Sequence, residues 1–409
     1  MKKELVIIGG GAAGFFCAVN AAKINTTLKI TIIEKTGKLL SKVKVSGGGR
    51  CNITHACFDI IEMSKKYPRG ANFVKKTFHQ FFTTDTIEWF KQRGVLLKEE
   101  PDGRMFPVTD LSQTIVDCLL REVSNYGIEI MMNTEVKKIS IHQEQFILQF
   151  PGGKEKIADF VCIASGGYPK SAMFSWLTEL GHTIESPVPS LFTFNLPGHA
   201  ITKLMGVSVE NVSIKILGTK LQQDGPILIP HWGLSGPAVL KLSAWGAREL
   251  ALANYDFKIA VNWLPVYNEQ QLAKKFQSLR VEIAAQNIYS KNPFGLPKRL
   301  WEFLLNYAGI NIERRWADLP SNEANKLIRN LCTGEFAIKG KTTFKEEFVT
   351  AGGIRLNEID HQTMMSKKIQ NLFFAGEVMD VDGITGGYNF QHAWTSGFIA
   401  GTTIGKSSL

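Results

Sequence analysis

The feature that most constrains the fold of this chain is a glycine-rich turn directly after its first apolar run. Residues 5–8 are apolar, and Gly9, Gly11 and Gly14 follow them in the pattern Gly-x-Gly-x-x-Gly. The apolar run predicts a buried strand, and residues 12–24 have the pattern of a helix. This order is that of a βαβ dinucleotide-binding unit. In such a unit Gly9 allows the tight turn, Gly11 lets a pyrophosphate approach the backbone, and Gly14 lets the helix pack on the strand.

The residues after the turn indicate which nucleotide groups are bound. Ala12 and Ala13 begin the predicted helix, whose N terminus favours a phosphate charge. A second apolar run, residues 28–34, ends at Glu34, twenty residues beyond the last glycine of the motif. A carboxylate at this place accepts hydrogen bonds from ribose hydroxyls and repels a 2′-phosphate. We therefore predict that these residues and the adjacent Lys35 bind a dinucleotide that carries no 2′-phosphate.

A segment near the other end of the sequence favours FAD as that dinucleotide. Residues 371–377 read as a strand that ends in Gly376 and Glu377, and a glycine pair precedes a predicted helix that begins near residue 390. Flavoproteins with two dinucleotide-binding domains end a late strand in Gly-Asp, whose carboxylate binds a ribityl hydroxyl, and glutamate takes that place here. The helix N terminus stabilises the negative charge of a reduced flavin. The other predicted flavin contacts of this segment are Gly387, Tyr388, Asn389 and Phe390.

A third glycine-rich segment, residues 42–52, follows Glu34. Its three consecutive glycines predict a loop whose backbone wraps closely around an anion or a ring edge. Its place in the chain predicts that it lies along the pyrophosphate and towards the isoalloxazine. The residues of this segment that we predict to bind the cofactor are Lys42, Ser46, Gly47, Gly48, Arg50, Cys51 and Asn52.

These motifs resemble those of a family of bacterial flavoproteins, the NAD(P)/FAD-dependent oxidoreductases of the YhiN, BaiN and aminoacetone-oxidase-like type. The resemblance runs nearly from end to end of the chain. It implies an FAD-binding domain that is interrupted by a β-barrel-like and a helical subdomain. It also implies the cofactor but not the reaction, because members of the family differ in substrate. The matching blocks are residues 9–14, 38–40, 46–52, 231–237, 350–354 and 375–391.

The distribution of strand and helix patterns predicts the same α/β organisation. We expect a Rossmann-type FAD-binding domain in two parts, residues 1–190 and 346–409, with an insertion at 191–345 between them. Within the insertion, residues 191–267 and 334–345 have short strand patterns, and residues 268–333 have a helical pattern. The logic of this fold adds predicted cofactor contacts at Val136, Ala164, Ser165 and Gly166.

The sequence assigns no catalytic residue and no metal site. It contains no Ser-His-Asp grouping, no cluster typical of metal ligands and no second Gly-x-Gly-x-x-Gly motif. We therefore expect non-covalent FAD to exchange a hydride with a small organic substrate. NADH or NADPH that docks transiently, or oxygen, would serve as the other redox partner.

The charge of the chain leaves two alternatives open. Its net charge is +10 and its pI about 9.2, with basic residues gathered in residues 35–50 and 65–76. Tyr67 and Phe73 are the only aromatic residues within these clusters, too few for a stacking platform, so we expect a solvated basic face and no nucleic-acid partner. The alternatives are an RNA-associated flavoprotein of the tRNA-modifying type and a flavin-bearing redox sensor with little turnover. Six scattered cysteines and the lack of an apolar run near ~20 residues predict a cytoplasmic protein without membrane contact.

Overall fold

A computed structural model describes residues 2–343 and 349–409. They pack into two units, of which the first contains residues up to Ser190 and from Val349 onwards and the second contains residues 191–343. The predicted boundary at residues 345/346 lies outside the described residues.

The elements are numbered in chain order. The strands are β1 (Glu4–Ile8), β2 (Lys29–Ile33), β3 (Thr54–His55), β4 (Leu97–Glu99), β5 (Arg104–Pro107), β6 (Glu129–Met131), β7 (Lys138–His142), β8 (Gln145–Gln149), β9 (Glu155–Ala158), β10 (Phe160–Ile163), β11 (Ile184–Ser190), β12 (Thr193–Asn195), β13 (Ser208–Ile216), β14 (Gln222–Leu228), β15 (Gly233–Leu234), β16 (Asp256–Asn262), β17 (Gly334–Lys339), β18 (Lys341–Thr342), β19 (Val349–Ile354) and β20 (Leu372–Phe374). The α-helices are α1 (Ala12–Ile24), α2 (Ser41–Gly49), α3 (Ile60–Ser64), α4 (Ala71–Thr77), α5 (Thr83–Lys91), α6 (Gln113–Asn125), α7 (Ser175–Glu179), α8 (Pro237–Trp245), α9 (Ala247–Leu252), α10 (Glu269–Glu282), α11 (Lys298–Ala308), α12 (Ser321–Thr333) and α13 (Tyr388–Ser407). Among these helices, in the part of the chain that is described, none is long and apolar enough to cross a membrane.

A five-stranded parallel sheet forms the centre of the first unit. Its strand order is β20-β10-β1-β2-β6, and in the register of its middle strands Ile7 lies beside Cys162 on one side and Ile32 on the other. The strands are almost entirely apolar because both faces of such a sheet are covered. The predicted α/β fold is therefore confirmed. Since the strands are parallel, their carboxyl ends meet at one edge, where the first glycine turn, Glu34 and Gly376 all follow a strand.

Helices α1 and α13 tie the two ends of the chain together. Three glycines of α13 stand at four-residue intervals and therefore on one helix face. A Cβ on Gly397 would lie 2.6 Å from the carbonyl oxygen of Ala13, and one on Gly401 would lie 2.4 Å from that of Cys17. Only glycine permits so close an approach of two helix backbones. The C-terminal helix thus packs directly on the helix that follows the first glycine motif.

The second unit combines two sheets with a group of helices. The strands of the predicted β-barrel-like subdomain form an antiparallel sheet of order β14-β13-β16-β17 and a three-stranded sheet of order β15-β12-β18. Helices α10, α11 and α12 occupy the region with the helical pattern, and Trp263, Trp301 and Trp316 are buried in the core of this unit. Helices α8 and α9 were not predicted, although Pro237 after Gly236 is a common way to begin a helix.

Candidate functional site

The three motif glycines of the first turn have different surroundings. Gly9 has a φ of 122°, and a Cβ there would lie 2.2 Å from the carbonyl oxygen of Ala164. A Cβ on Gly14 would lie 2.1 Å from the carbonyl oxygen of Gly9. By contrast, a Cβ on Gly11 would meet no heavy atom within 4 Å. Gly9 and Gly14 are therefore required by the protein's own packing, whereas Gly11 faces open space.

This open space lies at the N terminus of helix α1. Gly11 is the N-cap residue, no side chain caps the helix, and its first turn contains no acidic residue. Ala12 is half-buried and Ala13 is buried, so the backbone is the polar surface that this turn presents. Uncapped N–H groups and the positive end of the helix dipole form an anion site. The geometry fits a pyrophosphate at the place where the sequence predicts it.

Glu34 lies against the glycine turn. Its Oε2 accepts a hydrogen bond from the N–H of Gly10 at 3.0 Å, and its Oε1 accepts from the N–H and the hydroxyl of Thr36 at 2.9 and 2.8 Å. These bonds hold the carboxylate beside the turn, and lone pairs remain for a ribose hydroxyl. The adjacent Lys35 is exposed, with its Nζ 5.4 Å from the ring centroid of Tyr168.

Four further predicted contacts, in two connections, lie after strands of the same sheet. Val136 is half-buried in the connection after β6, and in that connection the N–H of Thr134 donates to the carbonyl oxygen of Glu34 at 2.9 Å. On the other side, Ala164 and Ser165 follow β10 and lie against Gly9. Gly166 has a φ of 74° and faces open space. The structure therefore brings Ala164 and Ser165 to the first glycine turn, and the connection that contains Val136 to Glu34.

The late Gly-acid pair lies beside the first helix. A Cβ on Gly376, which has a φ of 76°, would lie 2.9 Å from the Cβ of Ala13. The carboxylate of Glu377 accepts hydrogen bonds from Nζ of Lys42 at 2.5 Å and from the N–H of Thr350 at 2.8 Å. The first glycine turn and the late Gly-acid pair are thus adjacent, and the ion pair of Lys42 with Glu377 joins the third glycine-rich segment to the late one.

Thr350 is a member of this group that the sequence analysis did not single out as a cofactor contact. Its hydroxyl is buried and has no hydrogen-bond partner among the described residues. A Cβ on Gly167 would lie 2.4 Å from that hydroxyl and 2.7 Å from Oε1 of Glu377. An unpartnered buried hydroxyl is unfavourable. A bound polar group beside Glu377 would satisfy it, which fits the ribityl or phosphate oxygens of FAD.

Behind Gly376 the buried His392 supports the turn. Its Nε2 lies 3.3 Å from the carbonyl oxygen of Gly376, and the N–H of Gly376 donates to the hydroxyl of Ser396 at 2.9 Å. Complete burial lowers the pKa of His392 to about 4, so its ring is neutral at pH 7.

The segment at residues 42–52 is only partly the loop that the sequence predicts. Helix α2 begins at Ser41, and its regular geometry breaks at Ser46, where ψ is 149°. Gly47 and Gly48 then adopt left-handed conformations, with φ values of 60° and 69°. A Cβ on Gly47 would lie 2.7 Å from the ring of Phe106, whereas Gly48 faces open space. Residues 41–45 are helical because none of them is a glycine or a proline, and the left-handed turn is confined to the glycines.

Arg50 and Cys51 have contacts within the protein. The guanidinium of Arg50 lies 2.9 Å from Glu100 and 3.5 Å from Asp110, and it stacks on Phe106 at 4.0 Å from the ring centroid. Cys51 is buried, and this burial raises the pKa of its thiol to about 12. The thiol is therefore protonated at pH 7 and is a poor nucleophile.

Asn52 connects this segment to the start of helix α13. With its amide oriented to satisfy its neighbours, it donates to the carbonyl oxygen of Thr54 and accepts from the N–H of Gly387, each at 3.0 Å. Gly387 has a φ of 93°, and a Cβ there would lie 2.5 Å from the carbonyl group of Thr54. The protein's own packing therefore requires this glycine, whether or not a flavin also contacts it. The side chain of Asn389 closes the preceding turn through two hydrogen bonds to Gly383, at 2.8 and 2.9 Å.

The first residue of α13, Tyr388, lies in an aromatic group. Its ring stacks on His55 with centroids 4.8 Å apart, and its carbonyl oxygen accepts a hydrogen bond from the hydroxyl of Tyr67 at 2.6 Å. Burial raises the pKa of Tyr388 well above its ordinary value, so its hydroxyl stays protonated. Phe390 is half-buried and stacks on Trp394. No side chain caps the N terminus of α13, which leaves its first N–H groups for a ligand.

Comparisons with known proteins agree with this geometry. Residues 3–403 match a family model described as the HI0933-like protein Rossmann domain. The chain is 30% identical to the ribosomal RNA dihydrouridine synthase of Escherichia coli, with 96% of each chain covered. It is 27% identical to the 3-dehydro-bile acid delta(4,6)-reductase of Clostridium scindens, with 97% of each chain covered. Among solved structures, the 3-ketosteroid-Δ4-(5α)-dehydrogenase of Rhodococcus jostii shares the fold, with a TM-score of 0.52, 12% identity and coverage of 98% of this chain and 97% of that one.

Proposed function

The chain belongs to the HI0933-like family of FAD-binding oxidoreductases, and from this premise we propose that it reduces a carbon–carbon double bond conjugated with a carbonyl group. The observation that carries the proposal is that the names of two relatives of nearly equal length both denote reduction of a carbon–carbon double bond. The name of one denotes reduction of double bonds in a 3-oxo bile acid, and that of the other denotes formation of dihydrouridine. Both names describe saturation of a C=C bond, and in both substrates a carbonyl group is conjugated with such a bond.

The site fits this chemistry through what its residues hold. Reduced FAD held in this site would supply hydride chemistry, that is, the two electrons and one of the two hydrogens that saturation of a C=C bond requires, the second hydrogen being a proton. The N terminus of α1 would hold the pyrophosphate, and Glu34 would orient the adenosine ribose. Glu377, fixed by Lys42 and Thr350, would orient the ribityl chain, and the N terminus of α13 would favour negative charge on the reduced ring.

We propose uracil in RNA as the substrate, in place of the small molecule that the sequence favoured. The net charge of +10 supports this proposal, because contacts with phosphates provide most of the non-specific affinity for nucleic acids. The second candidate is a small conjugated ketone, which the bile acid reductase supports through its similarity over 97% of both chains.

The electron donor and the location are further proposals. We propose that NADH or NADPH reduces the flavin by transient docking. We propose the cytoplasm as the location, since all six cysteines are free thiols, as is usual in a reducing compartment.

An anaerobic single-turnover experiment tests the reaction class and the substrate together. The FAD-loaded protein is reduced, excess donor is removed, and the protein is mixed in separate samples with unmodified ribosomal RNA and with a conjugated steroid ketone. We expect RNA to restore the absorption of oxidised flavin and to gain two hydrogens in a uridine, as measured by mass spectrometry of nucleosides. Turnover of the steroid alone would favour the second candidate. Reduced flavin that neither compound reoxidises would contradict the proposed reaction.

A further inference from the structure

The positive charge of the chain is concentrated in the second unit. Residues 191–343 contain 18 lysines and arginines and 11 aspartates and glutamates, which makes +7 of the total net charge of +10. Several basic residues of the first unit that the sequence analysis grouped are neutralised by carboxylates. These ion pairs are Lys42 with Glu377, Arg50 with Glu100 and Asp110, Lys65 with Glu62, and Arg69 with Asp382. A polyanion would therefore be attracted chiefly to the second unit.

Helix α11 of this unit presents a stripe of one guanidinium and two aromatic rings. Arg299, Phe303 and Tyr307 are four residues apart and therefore follow one another along one helix face. The rings of Phe303 and Tyr307 stack, with centroids 5.6 Å apart and planes at 18°. Tyr307 is 57% exposed although it is one of the larger side chains of the unit. The stripe thus exposes to solvent one of two stacked aromatic rings.

The neighbouring 3-10 helix, Ala200–Leu204, adds a second positive charge. Arg299 donates to the carbonyl oxygen of Lys203 at 2.7 Å and to that of Met205 at 3.0 Å, which fixes this helix beside the stripe. The side chain of Lys203 is exposed. The ring of His199 lies 6.2 Å from that of Tyr307, and because burial lowers its pKa, it adds a neutral ring at pH 7.

A surface of this composition matches single-stranded nucleic acid. Unpaired bases stack on exposed aromatic rings, and lysine and arginine bind the phosphates between them. A singly exposed tyrosine is ordinary on a protein surface. Here, however, the ring is stacked on a second ring and shares its helix face with Arg299, in the unit that carries most of the net charge.

We propose that this surface, formed by His199, Lys203, Arg299, Phe303 and Tyr307 and called the α11 surface, binds a single-stranded segment of RNA. A base stacks on Tyr307, and Lys203 contacts a phosphate. Arg299 has N–H groups beyond those given to the backbone, and these reach a second phosphate. The inference rests on the proposed RNA substrate and adds to it the place where the RNA is held.

Binding of a labelled oligouridylate to the FAD-loaded protein, followed by fluorescence anisotropy, tests the α11 surface. We expect Tyr307→Ala to weaken binding about 5- to 150-fold, which is the range that stacking of one base supplies. Tyr307→Trp should retain the affinity because it keeps a stacking ring. Lys203→Glu should weaken binding. It should also make the negative slope of log affinity against log salt shallower by about 0.7, the value for one phosphate of a single strand.

A matched control is Lys215→Glu, which makes the same charge change at an exposed position on β13. It should alter affinity much less than Lys203→Glu. Two results would overturn the inference in different ways. If the wild-type protein binds RNA and the Tyr307 and Lys203 variants bind equally well, the RNA is held elsewhere, and the proposed substrate stands. If the wild-type protein does not bind RNA at all, the proposed substrate fails together with the surface.

Discussion

Replacing Gly11 with alanine separates cofactor binding from protein packing at the first glycine turn. A Cβ on Gly11 would meet no protein atom within 4 Å, and the residue has φ −96° and ψ −172°, which alanine adopts without strain. The added methyl group would instead occupy the open space in front of the N terminus of α1. We therefore expect Gly11→Ala to weaken FAD binding and to leave the folded apo-protein intact.

The magnitudes follow from the contacts at this position. A hydrogen bond to a charged group contributes about 1.5–3 kcal/mol, so the loss of one bond to the pyrophosphate raises the Kd for FAD about 10- to 150-fold. In the apo-protein, alanine lowers the conformational entropy of the unfolded chain, which stabilises the folded state by about 0.4–1 kcal/mol. Alanine is also a poorer N-cap than glycine, which destabilises the folded state by a similar amount, about 0.5 kcal/mol. These two effects oppose each other, and the net change in unfolding free energy should stay within about 1 kcal/mol.

Urea unfolding of the apo-protein and titration with FAD, followed by flavin fluorescence, provide the two measurements. Gly14→Ala is the matched control, because its Cβ would lie 2.1 Å from the carbonyl oxygen of Gly9. That variant should lose about 1–3 kcal/mol of stability through overpacking. If Gly11→Ala binds FAD with the wild-type Kd, the pyrophosphate does not lie against Gly11. If Gly11→Ala is as unstable as Gly14→Ala, the space in front of Gly11 is occupied by the protein itself.

Three further outcomes test other parts of the site. Glu34→Ala removes an acceptor of ribose hydrogen bonds worth about 1.5–3 kcal/mol, so the Kd for FAD should rise about 10- to 150-fold, and an unchanged Kd would show that the ribose lies elsewhere. His392 has a pKa of about 4 in the folded protein and an ordinary value of 6.5 in the unfolded chain, so below pH 6.5 it takes up a proton on unfolding. The free energy of unfolding should therefore fall by about 2 kcal/mol between pH 7 and pH 5 because of this residue. In urea titrations at both pH values, His392→Gln should lack that contribution. Gly401→Ala places a methyl group 2.4 Å from the carbonyl oxygen of Cys17, so thermal unfolding should show a loss of about 1–3 kcal/mol, whereas an unchanged Tm would mean that α1 and α13 can separate freely.

The two chain ends and their sheet were predictable because each carries a local signal. The Gly-x-Gly-x-x-Gly turn after an apolar run and the late Gly376-Glu377 pair both follow strands, and parallel strands bring such residues to one edge. The α/β fold also followed from periodicity. Helices α8 and α9 were missed because the short strand patterns around them dominated the interpretation.

Contacts that depend on packing were not predictable from one sequence. The hydroxyl of Thr350 belongs to the site only because β19 passes beside Glu377, and nothing in the residue itself indicates this. The hydrogen bond from the N–H of Gly387 to the side chain of Asn52 joins residues that are 335 positions apart in the sequence. The glycines of α13 could have been found by their four-residue spacing, but their partner helix could not. For Gly387, a close approach to Thr54 explains the residue type without a cofactor.

Hydrogen–deuterium exchange of the apo-protein with FAD and with ADP tests most directly whether both chain ends form one flavin site. ADP contains the pyrophosphate and adenosine but no flavin. We expect ADP to slow exchange at residues 9–14, and FAD to slow it there and also at residues 376–390, where the first N–H groups of α13 lack a capping side chain. Protection of residues 9–14 alone by FAD would contradict the account, since the C-terminal segment would then not contact the flavin.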